Sequence, residues 1–132
     1  MSQNNSIETI LKQAQEKRWP YPQTFQALKE AGVETYTVRW GEDYYAEYIG
    51  SFGVWTHHGL QGWTPLLTAP VFSENDLKAS LIKHQQGKSD YVSFLKEASA
   101  AGVTHYRVEM DKRTVSYYDR EERHSYVEKV PS

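Results

Sequence analysis

The segments AGVETYTV (residues 31–38) and AGVTHYRV (residues 101–108) both read Ala-Gly-Val-x-x-Tyr-x-Val, at an offset of 70. Extended without gaps, that offset pairs residues 7–49 with 77–119 and gives nine identities in 43 positions. They include Leu11/Leu81, Gln15/Gln85, Tyr21/Tyr91 and Tyr48/Tyr118. Chance pairing at ordinary composition gives roughly two or three. Stacked-repeat architectures need about three copies or more to bury their faces, so two copies rule out a solenoid. The chain is therefore a duplicated unit whose copies share a core. Its 132 residues suffice for one ordinary domain and not for two independent ones. The units span about 5–50 and 72–131, with an aromatic segment, 51–70, between them.

Each unit carries the same order of signals. Ile7, Ile10, Leu11 and Ala14 recur at helical spacing, with Asn5 and Glu8 placed as a capping pair. WPYP (19–22) ends that helix, and Pro22 suits the first turn of a second one carrying Phe25 and Leu28 inward. Gly32 follows as the left-handed residue after the helix. Val33–Trp40 alternates, with Tyr36, Val38 and Trp40 on one face and Thr35, Thr37 and Arg39 on the other, as a half-buried strand does. Gly41-Glu42-Asp43 turns into a second strand. In the second unit Ser73 caps a helix with Leu77, Leu81 and Ile82 inward. Tyr91, Phe94, Leu95 and Ala98 make the next helix, and strands follow at 103–110, 113–118 and 124–130. The conspicuous stretch KHQQGKSDY (83–91) falls between those two helices. Gly87 closes the first helix and Ser89 caps the second, so it reads as a corner rather than a catalytic loop.

Composition excludes several functions. There are no cysteines, which removes disulfides, thiol nucleophiles and thiolate metal sites. The net charge is −2, and neither half is basic: residues 1–66 carry 5 basic and 7 acidic side chains. A phosphate backbone therefore has little to attract it, unless Lys112, Arg113, Arg120 and Arg123 share one face. No segment resembles a signal peptide or a membrane span, so the expected location is the cytoplasm, with no membrane partner.

The stretches HQQGKSDYVSF, AAGV, SYYD (116–119) and VEKVP (127–131), with LKEAGV and Pro22 in the first half, carry a resemblance. They resemble a family of small bacterial and prophage proteins typified by YbcV, labelled "phage envelope protein" and otherwise a domain of unknown function. The resemblance supports one domain of this fold and brings no catalytic residues with it. Where members of that family carry cysteines this chain has Leu95 and Val115, so thiol chemistry is not a shared function.

Candidate sites are few. His57-His58 lie adjacent on a strand and face opposite ways, a poor start for a metal site. No nucleophile elbow, Walker loop or dinucleotide glycine motif is present. No catalytic, cofactor or metal residues are assigned. VWTHHGLQGWTP (54–65) has no counterpart in the second unit, and as an exposed loop it would present Trp55, His57 and Trp63 to a ligand or partner. The alternative is that these tryptophans plug the seam between units. Tyr117-Tyr118-Asp119 supplies a second candidate, with Tyr117 or its neighbour on a groove and Asp119 at a strand end.

The expectation is an α+β fold, a single domain of two related α-α-β-β units with helices on one side of a mainly antiparallel sheet. The expected function is a non-catalytic binding or interaction protein of bacterial or prophage origin. It would use the aromatic segment or the helix-free sheet face, with a protein or small molecule as partner. The alternative is a small enzyme or small-molecule sensor with a pocket between the units.

Overall fold

The computed structural model describes residues 3–59, 63–88 and 90–130, with side chains from Ile7 onward. In chain order they form α1 (Gln3–Lys17), α2 (Tyr21–Glu30), β1 (Val33–Arg39), β2 (Tyr45–Gly50), β3 (Gly53–His58), α3 (Glu74–Gln85), α4 (Tyr91–Ala100), β4 (His105–Glu109), β5 (Thr114–Tyr118) and β6 (Ser125–Lys129).

Local chemistry explains most boundaries. Pro22 stands in the first turn of α2, where its missing N–H is no loss. The Ser73 hydroxyl accepts the Asp76 N–H at 3.3 Å and opens α3, as its sequence predicts. Two expected caps change. Asn5 lies inside α1, which already runs from Gln3. Ser89 lies outside the described residues, and Asp90 caps α4 by accepting the Ser93 N–H at 2.7 Å. Gly87 after α3, at φ +74°, and Gly32 and Gly102 after α2 and α4, at +99° and +89°, adopt the left-handed conformation expected of them.

All six strands join one antiparallel sheet in the order β3-β2-β1-β4-β5-β6. At its centre β1 pairs β4 with Thr37 opposite Arg107, Tyr36 opposite Val108 and Val38 opposite Tyr106. Thr37 and Arg107 are separated by the repeat offset itself, so a pseudo-two-fold axis pierces the sheet at that pair.

This symmetry corrects the sequence reading in two places. Residues 53–58 are a strand, β3, paired to β2 as β6 is paired to β5, so each unit is α-α-β-β-β. The second hairpin connection (110–113) is also one residue shorter than the first (40–44), which slips the ungapped offset by one beyond the turn. Tyr48 therefore corresponds to Tyr117 on the helix side of the sheet, not to Tyr118.

The core lies between the helices and one sheet face. Phe25, Leu28, Phe94, Leu95 and Ala98 come from α2 and α4, and Ile7, Leu77 and Leu81 from α1 and α3. They pack with Tyr36, Val38, Tyr48, Tyr106, Val108, Val115 and Tyr117 of the sheet. Ile82, expected inward, is 54% exposed. The buried stripe of α3 is Leu77, Ser80 and Leu81, and the residue after Leu81 is turned about 100° away from it. Besides the β1–β4 ladder, side chains tie the units together: Trp40 Nε1–H donates to Ser99 Oγ at 2.6 Å, and the Tyr44 and Tyr91 hydroxyls meet at 3.0 Å.

Candidate functional site

The helix-side face of the sheet is paved with phenols. Tyr21 of α2 hydrogen-bonds Tyr36 of β1, and Tyr91 of α4 hydrogen-bonds Tyr106 of β4 at 2.7 Å. These are one contact made twice, and they account for the identities Tyr21/Tyr91 and Tyr36/Tyr106 in the repeat. Burial pushes the hydroxyls of Tyr36, Tyr91, Tyr106 and Tyr117 well above the ordinary phenol range. They stay protonated at any physiological pH, so their work is to bolt helix to strand rather than to exchange protons.

The five residues singled out from the sequence fall into two separate places. Trp55 and His57 point to the helix side of β3, half-buried, with ring centroids 5.9 Å apart. Tyr44 lies 6.2 Å from His57 and 6.0 Å from Trp63, and Trp63 Nε1–H donates to the Glu42 carbonyl at 3.2 Å. These three residues form the half-buried border of the core rather than an exposed loop; Leu60, Gln61 and Gly62 of that segment lie outside the described residues. Tyr117 is buried in the other unit, against Phe94 and Tyr106. Asp119 organises the β5–β6 turn, accepting the Arg123 N–H at 2.8 Å and pairing with His124 Nδ1 at 2.8 Å. That hydrogen bond from His124 holds the Asp119 carboxyl below the usual carboxylate range. The basic candidates also separate. Lys112 and Arg113 precede β5, whereas Arg120 and Arg123 follow it, at its opposite end.

Among the described residues, the other face of the sheet carries no helix. Its registers set out cross-strand rows of polar and aromatic side chains. One row runs His58, Tyr45, Arg39, His105, Tyr118, Ser125 from β3 to β6, and the next runs Thr56, Glu47, Thr37, Arg107, Ser116, Val127. His105 is the exception on this open face, since only 1% of it reaches solvent. Its ring stacks on Tyr118 at 5.2 Å, and the Arg107 guanidinium lies 5.4 Å over that same tyrosine ring. Thr104 Oγ1 lies 2.8 Å from His105 Nδ1. Glu122, a non-glycine residue at φ +58° in the β5–β6 turn, brings its carboxylate over the imidazole. It stands 3.4 Å from His105 Nε2 and 3.8 Å from Arg107 Nη1.

Neither separation is a close charge-assisted contact, which would measure about 2.7–2.9 Å. Nε2 is in fact buried without a hydrogen bond among the described residues. Such an orphan costs about 1–3 kcal/mol. Burial, then the nearby Arg39 charge, lowers the His105 pKa, while Glu122 opposes that shift. With Nδ1 facing the Thr104 hydroxyl and Nε2 facing a carboxylate, the neutral imidazole is best satisfied with its proton on Nε2. Arg39, opposite His105 on β1, is exposed and has no ion-pair partner among the described residues.

Strand alternation had already placed Thr37 and Arg39 on this face, and the repeat offset carries Thr37 to Arg107. Glu122 gave no signal, because it reaches His105 only through the path of a turn. Among the described residues no group of three or more histidine, aspartate or glutamate side chains is placed to hold a metal ion. No helix among them is long and apolar enough to cross a membrane.

The duplicated helix–strand unit, its Tyr–Tyr contacts and the shared sheet run through nearly the whole chain, and so does its family match. The chain belongs to the DUF1398 family. That family is described as "Protein of unknown function (DUF1398)", and its match covers residues 8–129. No curated protein matches the chain.

Proposed function

We propose that the chain is a non-catalytic binding protein whose partner seats on the helix-free face of the sheet. The observation that supports this reading is the row His58, Tyr45, Arg39, His105 and Tyr118 across five adjacent strands. It combines flat rings and a guanidinium without an ion-pair partner among the described residues, the side chains that most often anchor interfaces, on the face that those residues leave without a helix layer. The origin we propose is bacterial or prophage, within the YbcV-like group that the sequence resembles. The proposed compartment is the cytoplasm.

The test is a thermal-shift screen against nucleotides, sugars, common metabolites and divalent metals with a chelator control. It compares the wild type with Arg39→Ala/Tyr45→Ala on the open face and Trp63→Ala at the β3 border. A ligand at 100 times its dissociation constant stabilises the fold by about 2.7 kcal/mol. The proposal expects ligand shifts that the double variant loses and Trp63→Ala keeps. Shifts lost only in Trp63→Ala would move the site to the β3 border and sink the open-face reading.

A further inference from the structure

We propose that Arg39, His105 and Arg107 form a recognition site for the carboxylate of a small organic acid, and that Glu122 is the internal occupant that such a ligand displaces. The inference rests on the open-face reading above and names the chemical group that the face selects.

Three observations converge. First, two guanidiniums and an imidazole come from paired strands, with Arg39 opposite His105 and Arg107 two residues further along β4. The site thus sits on the two central strands of the sheet, beside the pseudo-two-fold axis. Second, His105 Nε2 is buried and unpartnered. It faces the Glu122 carboxylate, which lies within ion-pair distance at 3.4 Å but makes no well-formed hydrogen bond to it among the described residues. Third, Glu122 is brought there by a turn whose backbone is in the left-handed region at that residue, and its side chain remains 42% exposed. A half-exposed carboxylate of the chain itself, paired at 3.4 and 3.8 Å without satisfying the buried Nε2, marks where a better-placed carboxylate would bind. Once Glu122 swings out, the incoming group accepts from His105 Nε2–H and from Arg107, with Arg39 adding its charge from the neighbouring strand. Within that row Tyr45 and Tyr118 stand on either side of Arg39 and His105, so a flat or apolar body attached to the carboxylate has a surface to lie on. A single negative charge fits better than a phosphate dianion, because Glu47 and Glu109 stand on the same face in the next rows.

Benzoate and its neutral isostere benzamide are the probes. The full chain is titrated with each at constant ionic strength and near-neutral pH, following the His105 imidazole signals by NMR, assigned through their loss in His105→Gln. Benzoate is expected to shift them and benzamide is not. Glu122→Ala should tighten benzoate several-fold by removing a competitor that is present at high effective concentration. Arg107→Gln should weaken it by about tenfold, the value of one charge-assisted hydrogen bond. Both changes are on partly exposed side chains outside the core, so folding is retained. No His105 response to benzoate in Glu122→Ala overturns the proposal, as does an equal response to benzamide or an affinity indifferent to Arg107→Gln. A ligand from the thermal screen that is lost with Arg39→Ala/Tyr45→Ala but kept with Arg107→Gln would overturn the carboxylate site alone. A ligand indifferent to both would remove the open face as well.

Discussion

At the scale of single residues, two groups show how burial sets chemistry here. Tyr91 lies between two other phenols, Tyr44 at 3.0 Å and Tyr106 at 2.7 Å, whereas Tyr21 serves only Tyr36 and is itself 38% exposed. Tyr91→Phe strands two buried hydroxyls whereas Tyr21→Phe strands one, that of Tyr36, so at about 1–3 kcal/mol for each stranded group the Tyr91 change should cost about twice as much. Urea denaturation of the two variants measures the difference, and equal losses would refute the three-membered chain of phenols. His105 gives a pH dependence. Its folded pKa is lowered, chiefly by burial, so the unfolded chain binds the proton more readily. Its contribution to stability is thus intact above about pH 6.5, the unfolded value, and is lost as pH falls through the lower folded value. The stability of the wild type, measured by urea denaturation, should fall between about pH 7 and pH 5 more than that of His105→Gln, in which this component of the slope is gone. The identities Tyr21/Tyr91 and Tyr36/Tyr106 were visible as a pattern in the sequence. That each pair is a hydrogen bond required the helix to lie over the strand.

At the scale of elements, the duplicated units are alike in outline and different in tightness. Gly32 and Gly102 both leave their helices with positive φ. A Cβ added at Gly32 would meet only Ser51 Oγ at 3.6 Å and Phe52 at 3.7 Å, which is ordinary contact. At Gly102 it would meet the Val71 carbonyl oxygen at 2.5 Å and the Phe72 Cα at 2.7 Å, both backbone atoms that cannot swing aside. The reason is the segment running into α3, whose Ser73 N–H donates to the Ala101 carbonyl at 2.7 Å and presses the chain against the end of α4. Gly32→Ala should cost about 1–2 kcal/mol from the left-handed conformation alone. Gly102→Ala should cost clearly more and can prevent folding altogether. Matched melting temperatures for the two variants would contradict this asymmetry. The sequence showed the two glycines as equivalent, since it holds no sign of what packs against either.

At the scale of the molecule, the seam between units is as well built as either unit. β1 and β4 share the central ladder, Trp40 of the first unit is hydrogen-bonded to Ser99 of the second, and the Arg113 guanidinium of the second stands 4.6 Å over the Phe25 ring of the first. Neither half can lose its structure without exposing buried side chains of the other. Urea unfolding followed by far-ultraviolet dichroism and by tryptophan fluorescence should therefore give one coincident transition. Two resolved transitions would show the units to be separately stable domains.

By itself the sequence determined the duplication, the α+β class, the helix ends marked by proline and glycine, and the side of β1 that faces the core. Those features follow from local periodicity and backbone preference, which short windows carry. Tertiary structure decided what depends on pairing between distant segments. It made an edge strand of residues 53–58, which pairing to β2 stabilises even though its glycine-flanked aromatic sequence reads as a loop. It separated Trp55, His57 and Trp63 from Tyr117 and Asp119. It also brought Glu122 over His105, because the direction of a turn and the register of a ladder are set by contacts that no stretch of sequence contains.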